Sequence, residues 1–266
     1  MNRLKTTHLN LAKKAPDLNS HHVQLLVSIR HRDEIAPALR GGCDILDLKD
    51  PLNGALGMVD AQTLRSISES LHAQPVAVPV SMALGELLEW QEDRSIPFIP
   101  AEITYLKMGL SHTAGQRNWH SHWLDVTKRI EEKNRTAFQW IAVAYADWKQ
   151  AKAISPQKVL AAAIESQCAG LLIDTYSKQG QSLLDLLSLD ELKALIEQAQ
   201  SHNLKIALAG SINNENMVSL SEVSPDIIGI RGAACFKNQR TNGLQEQAVR
   251  KFRNQLDRQF AFTRSG

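Results

Sequence analysis

The chain alternates between short apolar runs and longer stretches whose apolar residues recur every three or four positions. The runs are VQLLVSI (Val23–Ile29), DILDLKD (Asp44–Asp50), PVAVPVS (Pro75–Ser81), ITYLKMGL (Ile103–Leu110), FQWIAVAYA (Phe138–Ala146), GLLIDT (Gly170–Thr175), KIALAGS (Lys205–Ser211) and DIIGIRG (Asp226–Gly232). Each is apolar on both faces until its last residues, the pattern of a parallel strand covered by helices on both sides. Between them, helical spacing predicts Asp33–Leu39, Ala61–Leu71, Gly85–Glu92, Trp119–Lys133, Pro156–Gln167, Leu189–Ser201, Asn214–Ser221 and Leu244–Gln259. Within Leu189–Ser201, for example, Leu192, Leu195, Ile196 and Ala199 fall on one stripe. Eight strands alternating with eight helices over residues 22–262 predict one α/β domain, a (β/α)8 barrel. An open, doubly wound sheet shows the same alternation, but no GxGxxG follows the first strand as in its dinucleotide-binding form. Met1–His21 reads as a loosely held N-terminal arm and Thr263–Gly266 as a frayed tail.

Composition narrows the classes. With 266 residues and 43% apolar positions the chain can bury a sizeable core, and 30 basic against 28 acidic residues leave a net charge of only +2. That balance carries no nucleic-acid or membrane-surface signature. No apolar run approaches the ~20 residues of a spanning helix. Cys43, Cys168 and Cys235 are an odd number without CxxC spacing, so a disulfide scaffold is excluded and a reducing, cytoplasmic setting is expected. His120 and His122, two apart in a helix, do not share a face, and no metal site is expected there. The sequence leaves a homo-oligomer open.

The polar residues that interrupt the strands carry the chemistry, because barrel enzymes act at the C-terminal strand ends. Asp47 and Lys49 alternate along the second strand and face one side. Lys107 lies inside an otherwise apolar fourth strand, where an unpartnered ammonium is costly. It either reaches the rim or pairs with a carboxylate, or it is an amine whose pKa is lowered by desolvation and a neighbouring cation. Tyr145 and Asp147 close the fifth strand, and Asp174 the sixth, with Lys178 four residues on. Two inward lysines among carboxylates describe a carbonyl-processing site in which one amine forms an imine and neighbours move protons. After the seventh and eighth strands, Gly210-Ser211 and Arg231-Gly232 offer backbone amides, a hydroxyl and a guanidinium where barrels commonly hold phosphate, although tight turns also favour glycine.

Six segments then resemble one family in order, from about Val23 to about Arg253. They are DLKDPLNGALG (Asp47–Gly57), YLKMGL (Tyr105–Leu110), AYAD (Ala144–Asp147), LLIDTYSKQGQSLLD (Leu171–Asp185), ALAGSI (Ala207–Ile212) and IIGIRGAAC (Ile227–Cys235). They resemble the (5-formylfuran-3-yl)methyl phosphate synthases, also called 4-(hydroxymethyl)-2-furancarboxaldehyde-phosphate synthases. The resemblance implies a barrel like that of class I aldolases and a carbon–oxygen lyase acting on phosphates. It also implies condensation of two glyceraldehyde 3-phosphate molecules, with loss of phosphate and water, to a furan precursor of methanofuran. By motif, Lys49 is the Schiff-base lysine, Lys107 the proton acceptor, Asp174 and Lys178 further active-site positions and Asp47 a partner carboxylate. No cofactor beyond the lysine imine is implied, and the partners are small phosphorylated trioses. Asp50 departs from the asparagine common in relatives and is expected to add charge beside Lys49. Residues Asp93–Glu102 also depart from the family pattern. Two other readings accompany this one: a different Schiff-base aldolase of phosphosugars, and a catalytically silent barrel that binds or scaffolds. The last has no use for two inward ammonium groups.

Overall fold

A computed structural model describes residues 22–177 and 180–262; the expected N-terminal arm and C-terminal tail lie outside the described residues. Eight parallel strands close into a barrel in sequence order. They are β1 (Gln24–Ile29), β2 (Ile45–Leu48), β3 (Val80–Glu86), β4 (Ile103–Gly109), β5 (Gln139–Tyr145), β6 (Gly170–Asp174), β7 (Lys205–Leu208) and β8 (Ile227–Ile230). Strand β1 pairs with both β2 and β8, which seals the ring and leaves no sheet edge. The helices are α1 (Ile35–Arg40), α2 (Ala61–Ala73), α3 (Trp119–Asn134), α4 (Pro156–Glu165), α5 (Leu183–Leu186), α6 (Leu189–Ser201), α7 (Met217–Val223) and α8 (Glu246–Phe262).

Local chemistry explains where these elements start and stop. Asp60 caps α2 by accepting the Thr63 N–H at 2.7 Å. Ser188 and Glu191 form a reciprocal capping box at the start of α6. Helix α1 runs into Gly42, whose φ of +95° makes the sharp turn into β2 that a side chain would resist. On α8, Val249, Phe252, Leu256 and Phe260 recur at three- and four-residue steps and are buried against the barrel.

The third βα unit differs from the sequence reading. The strand expected at Pro75–Ser81 starts only at Val80 and runs to Glu86, and the helix expected at Gly85–Glu92 is a single 3-10 turn, Leu87–Glu89. Pro79 explains the shift: it has no N–H for a ladder, so pairing begins after it. The crossover is instead covered by Trp90, fully buried with its indole N–H donating to the Leu84 carbonyl at 3.0 Å, and by Ile99. Among the described residues the count of eight helices is restored by short α5, which the sequence reading lacked.

Two apolar layers result. The larger core lies between sheet and helices. The inside of the barrel is filled largely by Ala83, Val143, Leu172 and Ala207, with Ala209 beside them. Small residues there leave the C-terminal mouth open. Cys43 and Cys168 are buried in the larger core, and burial pushes both thiols up to about 12, which suits packing rather than nucleophilic chemistry.

Candidate active site

Above that floor of small side chains lies a cavity of about 500 Å³, lined by Ser28, Asp47, Lys49, Lys107, Asp174 and the loops after β7 and β8. Four charged groups share its base. The Lys107 ammonium donates to Asp47 Oδ1 at 2.5 Å, and Asp47 Oδ2 accepts the Ser28 hydroxyl at 2.9 Å. Lys49 Nζ donates to Asp174 Oδ2 at 3.2 Å, while Asp174 Oδ1 accepts the Thr175 N–H at 2.7 Å. Strand alternation produces this: Ser28 and Asp47 are register partners on β1 and β2, and Lys107 sits opposite Ala83 on β4. Lysine and carboxylate charges cancel within the cluster, which limits the desolvation cost of burying all four.

The two amines are not equivalent. Lys107 is 2% exposed and Lys49 9%, so Lys49 is the one nearer to the open cavity. Burial is the largest influence on Lys107 and lowers its pKa; Asp47 opposes this, and the Lys49 ammonium adds to it. Burial alone would raise the Asp47 pKa, but Lys107 and Lys49 together hold it below the usual aspartate value.

Two other expectations change. Arg231 lines the cavity, but all five of its N–H donors are taken. They go to both oxygens of Glu34 (2.6 and 2.9 Å) and to the carbonyls of Ser28, Arg240 and Asn242. It therefore has no donor left for the phosphate contact expected of it. Asp50 does not stand as a free charge beside Lys49; its carboxylate accepts the Leu52 N–H and the Asn53 amide as cap of the turn Pro51–Asn53. Asp147 accepts the N–H groups of Tyr176 and Ser177, both at 2.7 Å, and so anchors the loop after β6. Lys178, next in that loop, lies outside the described residues.

Gly210 and Ser211 do line the cavity, both with positive φ (104° and 53°). A Cβ at Gly210 would stand 2.6 Å from Thr175 Cγ2, so the turn requires glycine on two counts. Ser211 adopts the left-handed region without being glycine, a local strain of the kind that binding loops hold. Among the described residues, the N–H groups of Ser211, Ile212, Gly232 and Ala233 make no hydrogen bond. Gly232 and Ala233 line the same cavity.

Sequence reasoning missed Ser28, Glu86 and Arg240. Ser28 is the polar residue near the C-terminal end of the apolar run Leu25–Ile29, a signal that was present. Glu86 accepts the Tyr145 hydroxyl at 2.5 Å and the Ser111 N–H at 2.8 Å, and it was hidden by the misplaced third strand. Burial first, and then Glu86, raise the Tyr145 phenol well above its ordinary pKa. Arg240 lies in an aperiodic loop with no pattern to mark it.

A closed parallel eight-stranded ring with its polar cluster at the C-terminal strand ends makes this a TIM-barrel protein. Solved structures agree on the fold. The 3-hexulose-6-phosphate synthase from Salmonella typhimurium matches at TM-score 0.54 and 11% identity, over 88% of this chain and 100% of that one. KGPDC from Streptococcus mutans matches at 0.53 and 13%, over 89% and 98%. The family model described as 4-HFC-P synthase matches residues 25–253. The (5-formylfuran-3-yl)methyl phosphate synthase of Methanothermobacter thermautotrophicus is 32% identical over 239 residues, 88% of this chain and 98% of that protein. The protein of the same name from Methanopyrus kandleri is 30% identical over 246 residues, with the same coverage. The chain belongs to the 4-HFC-P synthase family and is an enzyme. Among the described residues no helix is long and apolar enough to cross a membrane.

Proposed function

We propose that the protein condenses two molecules of glyceraldehyde 3-phosphate through a lysine imine, with loss of phosphate and water, to (5-formylfuran-3-yl)methyl phosphate, a precursor of methanofuran. The observation that carries this reading is the pair of unequal amines: Lys49 at the cavity with Asp174 on it, and Lys107 deeper, with a lowered pKa.

Lys49 attacks the aldehyde of one triose, its proton passing to Asp174, and water leaves as the imine forms. The cationic imine acidifies the adjacent carbon, and Lys107 as the neutral amine takes that proton. Desolvation favours the neutral amine, and a positive charge at Lys49 favours it further. The enamine attacks the second aldehyde, and Lys107 or Asp174 returns a proton to the new alkoxide. Elimination of phosphate, attack of a substrate hydroxyl on the imine carbon with release of Lys49 as the amine, and dehydration to the aromatic ring follow, a sequence in which Lys178 is proposed to assist. The free amides at Ser211, Ile212, Gly232 and Ala233 suit a phosphate monoester, which takes hydrogen bonds from such a cradle. The imine is itself the electron sink, so the scheme needs no resident cofactor, and a cytoplasmic triose phosphate supply would feed it.

Incubation with glyceraldehyde 3-phosphate tests the reaction. Furan absorbance and free phosphate should appear together, and borohydride should fix one triose on the wild type but not on Lys49→Ala. An imine without furan would make the enzyme a different Schiff-base aldolase. Absence of any trapped adduct on the wild type would remove the imine mechanism altogether.

A further inference from the structure

Two triose phosphates carry two phosphate groups, and one amide cradle serves only one of them. The charge distribution in the cavity points to a second subsite. Lys107 pairs with Asp47, Lys49 with Asp174 and Arg231 with Glu34. Among the described residues that line the cavity, Arg240 is the one cation without a carboxylate partner. The other pairs cancel, so its charge is what an incoming dianion meets.

The position of Arg240 is built rather than incidental. Its Nη2 donates to the carbonyls of Pro51 (2.9 Å) and Gly54 (3.1 Å), bridging the β8 loop to the turn that directly follows Lys49. Its own carbonyl accepts from Arg231 Nε at 2.9 Å, and the Asn242 carbonyl accepts from Arg231 Nη2 at 3.0 Å. The buried Arg231–Glu34 pair thus fixes the backbone on both sides of Thr241. Nε and Nη1 of Arg240 make no hydrogen bond among the described residues, which leaves three N–H donors in a planar array suited to phosphate oxygens. The side chain is half-buried; burial, the largest influence, lowers its pKa, and the Asp174 carboxylate opposes this.

We infer that Arg240 is the anchor for a second phosphate monoester, that of the second triose, on the β2 side of the mouth. Arg231 and Glu34 are positioning residues that act through it. This rests on the proposed condensation for the identity of the ligand, but not for the existence of the subsite.

The test uses the whole chain and Arg240→Gln and Arg240→Lys variants. Calorimetry with inorganic phosphate should give two sites in the wild type and one in Arg240→Gln; equal stoichiometry and affinity in both proteins would overturn the inference. In parallel, imine trapping is titrated with glyceraldehyde 3-phosphate and with unphosphorylated glyceraldehyde. Arg240→Gln should raise the half-saturating triose phosphate about tenfold or more, with the unphosphorylated aldehyde unaffected and Arg240→Lys intermediate. A purely structural clamp would weaken both aldehydes alike, and that result also counts against a phosphate subsite. If the wild type traps neither aldehyde, the condensation reading fails while the phosphate stoichiometry still decides the role of Arg240.

Discussion

Two buried ion-pair systems lie within the same barrel mouth, and they are built to opposite ends. In the Arg231–Glu34 system every guanidinium donor is matched, and the four partner residues come from three separate stretches of chain. In the lysine cluster, Lys107 and Lys49 are ammonium groups with three donors each. Among the described residues Lys107 has one oxygen acceptor, Asp47 Oδ1, and Lys49 one, Asp174 Oδ2. Saturation locks geometry, whereas donors left over beside a cavity, with an amine held below its ordinary pKa, are what proton transfer needs. Buried charge is therefore scaffold in one case and chemistry in the other, and the hydrogen-bond complement separates them.

The largest effect expected from breaking this contrast is on rate. Lys107→Met should lower turnover about a thousandfold, in the range of a lost general base, while borohydride still labels Lys49. Loss of labelling as well would mean that Lys107 and not Lys49 forms the imine. In the wild type the rate should rise with pH as Lys107 loses its proton, with a midpoint below the lysine value of about 10.4. Asp47 is the main group that raises the Lys107 pKa against burial, with Asp174 adding to it, so Asp47→Asn should move that midpoint lower still. A midpoint displaced upward in Asp47→Asn would show that the two groups do not titrate as a pair.

The scaffold system should respond in stability. Glu34→Ala strands a buried guanidinium and should cost about 3–5 kcal/mol in urea unfolding. The pH dependence follows from the Glu34 pKa. Burial tends to raise it, but hydrogen bonds and the charge of Arg231 outweigh burial and hold it below the usual glutamate value. An acid lowered on folding contributes stability that is fully present above its unfolded value of about 4.3 and is lost as pH falls through the folded one. The wild-type urea midpoint should therefore drop on acidification below about pH 4.3, and Glu34→Gln should flatten that part of the curve. An unchanged acid limb in Glu34→Gln would assign acid sensitivity to the lysine cluster instead.

The sequence discloses these two systems unequally, for physical reasons. The ring of strands is written in two-sided apolar runs, and both inward lysines stand out because an ammonium in such a run is costly without a partner. Asp174 is legible as the polar end of an apolar strand. The Arg231–Glu34 pair is not, since its members are 197 positions apart and a charged residue near a helix start looks like any solvated one. Arg231 carries a phosphate-type signal by position, and only its neighbours reveal that its donors are engaged. Arg240 has no periodicity around it at all. The third strand was misread because β-type composition on both sides of Pro79 outweighed the missing N–H, and with it went Glu86.

The smallest effect is the most informative, because Ser28 belongs to both systems. Its hydroxyl donates to Asp47, and its carbonyl accepts from Arg231 Nη1 at 3.0 Å. Ser28→Ala removes the first link and leaves the second, since the carbonyl is backbone. Loss of a hydrogen bond to a charged group should cost about 1.5–3 kcal/mol at most, below the cost of Glu34→Ala. The functional change should be more specific. Asp47 loses one of the donors that lower its pKa, so its carboxylate is protonated at higher pH and the acid side of the rate profile moves up. The acid limb of stability that belongs to Glu34 should stay in place. If Ser28→Ala instead destabilised as much as Glu34→Ala and shifted both acid limbs together, the lysine cluster and the arginine scaffold would be one cooperative unit joined through β1. The division of the mouth into chemistry and scaffold would then have to be abandoned.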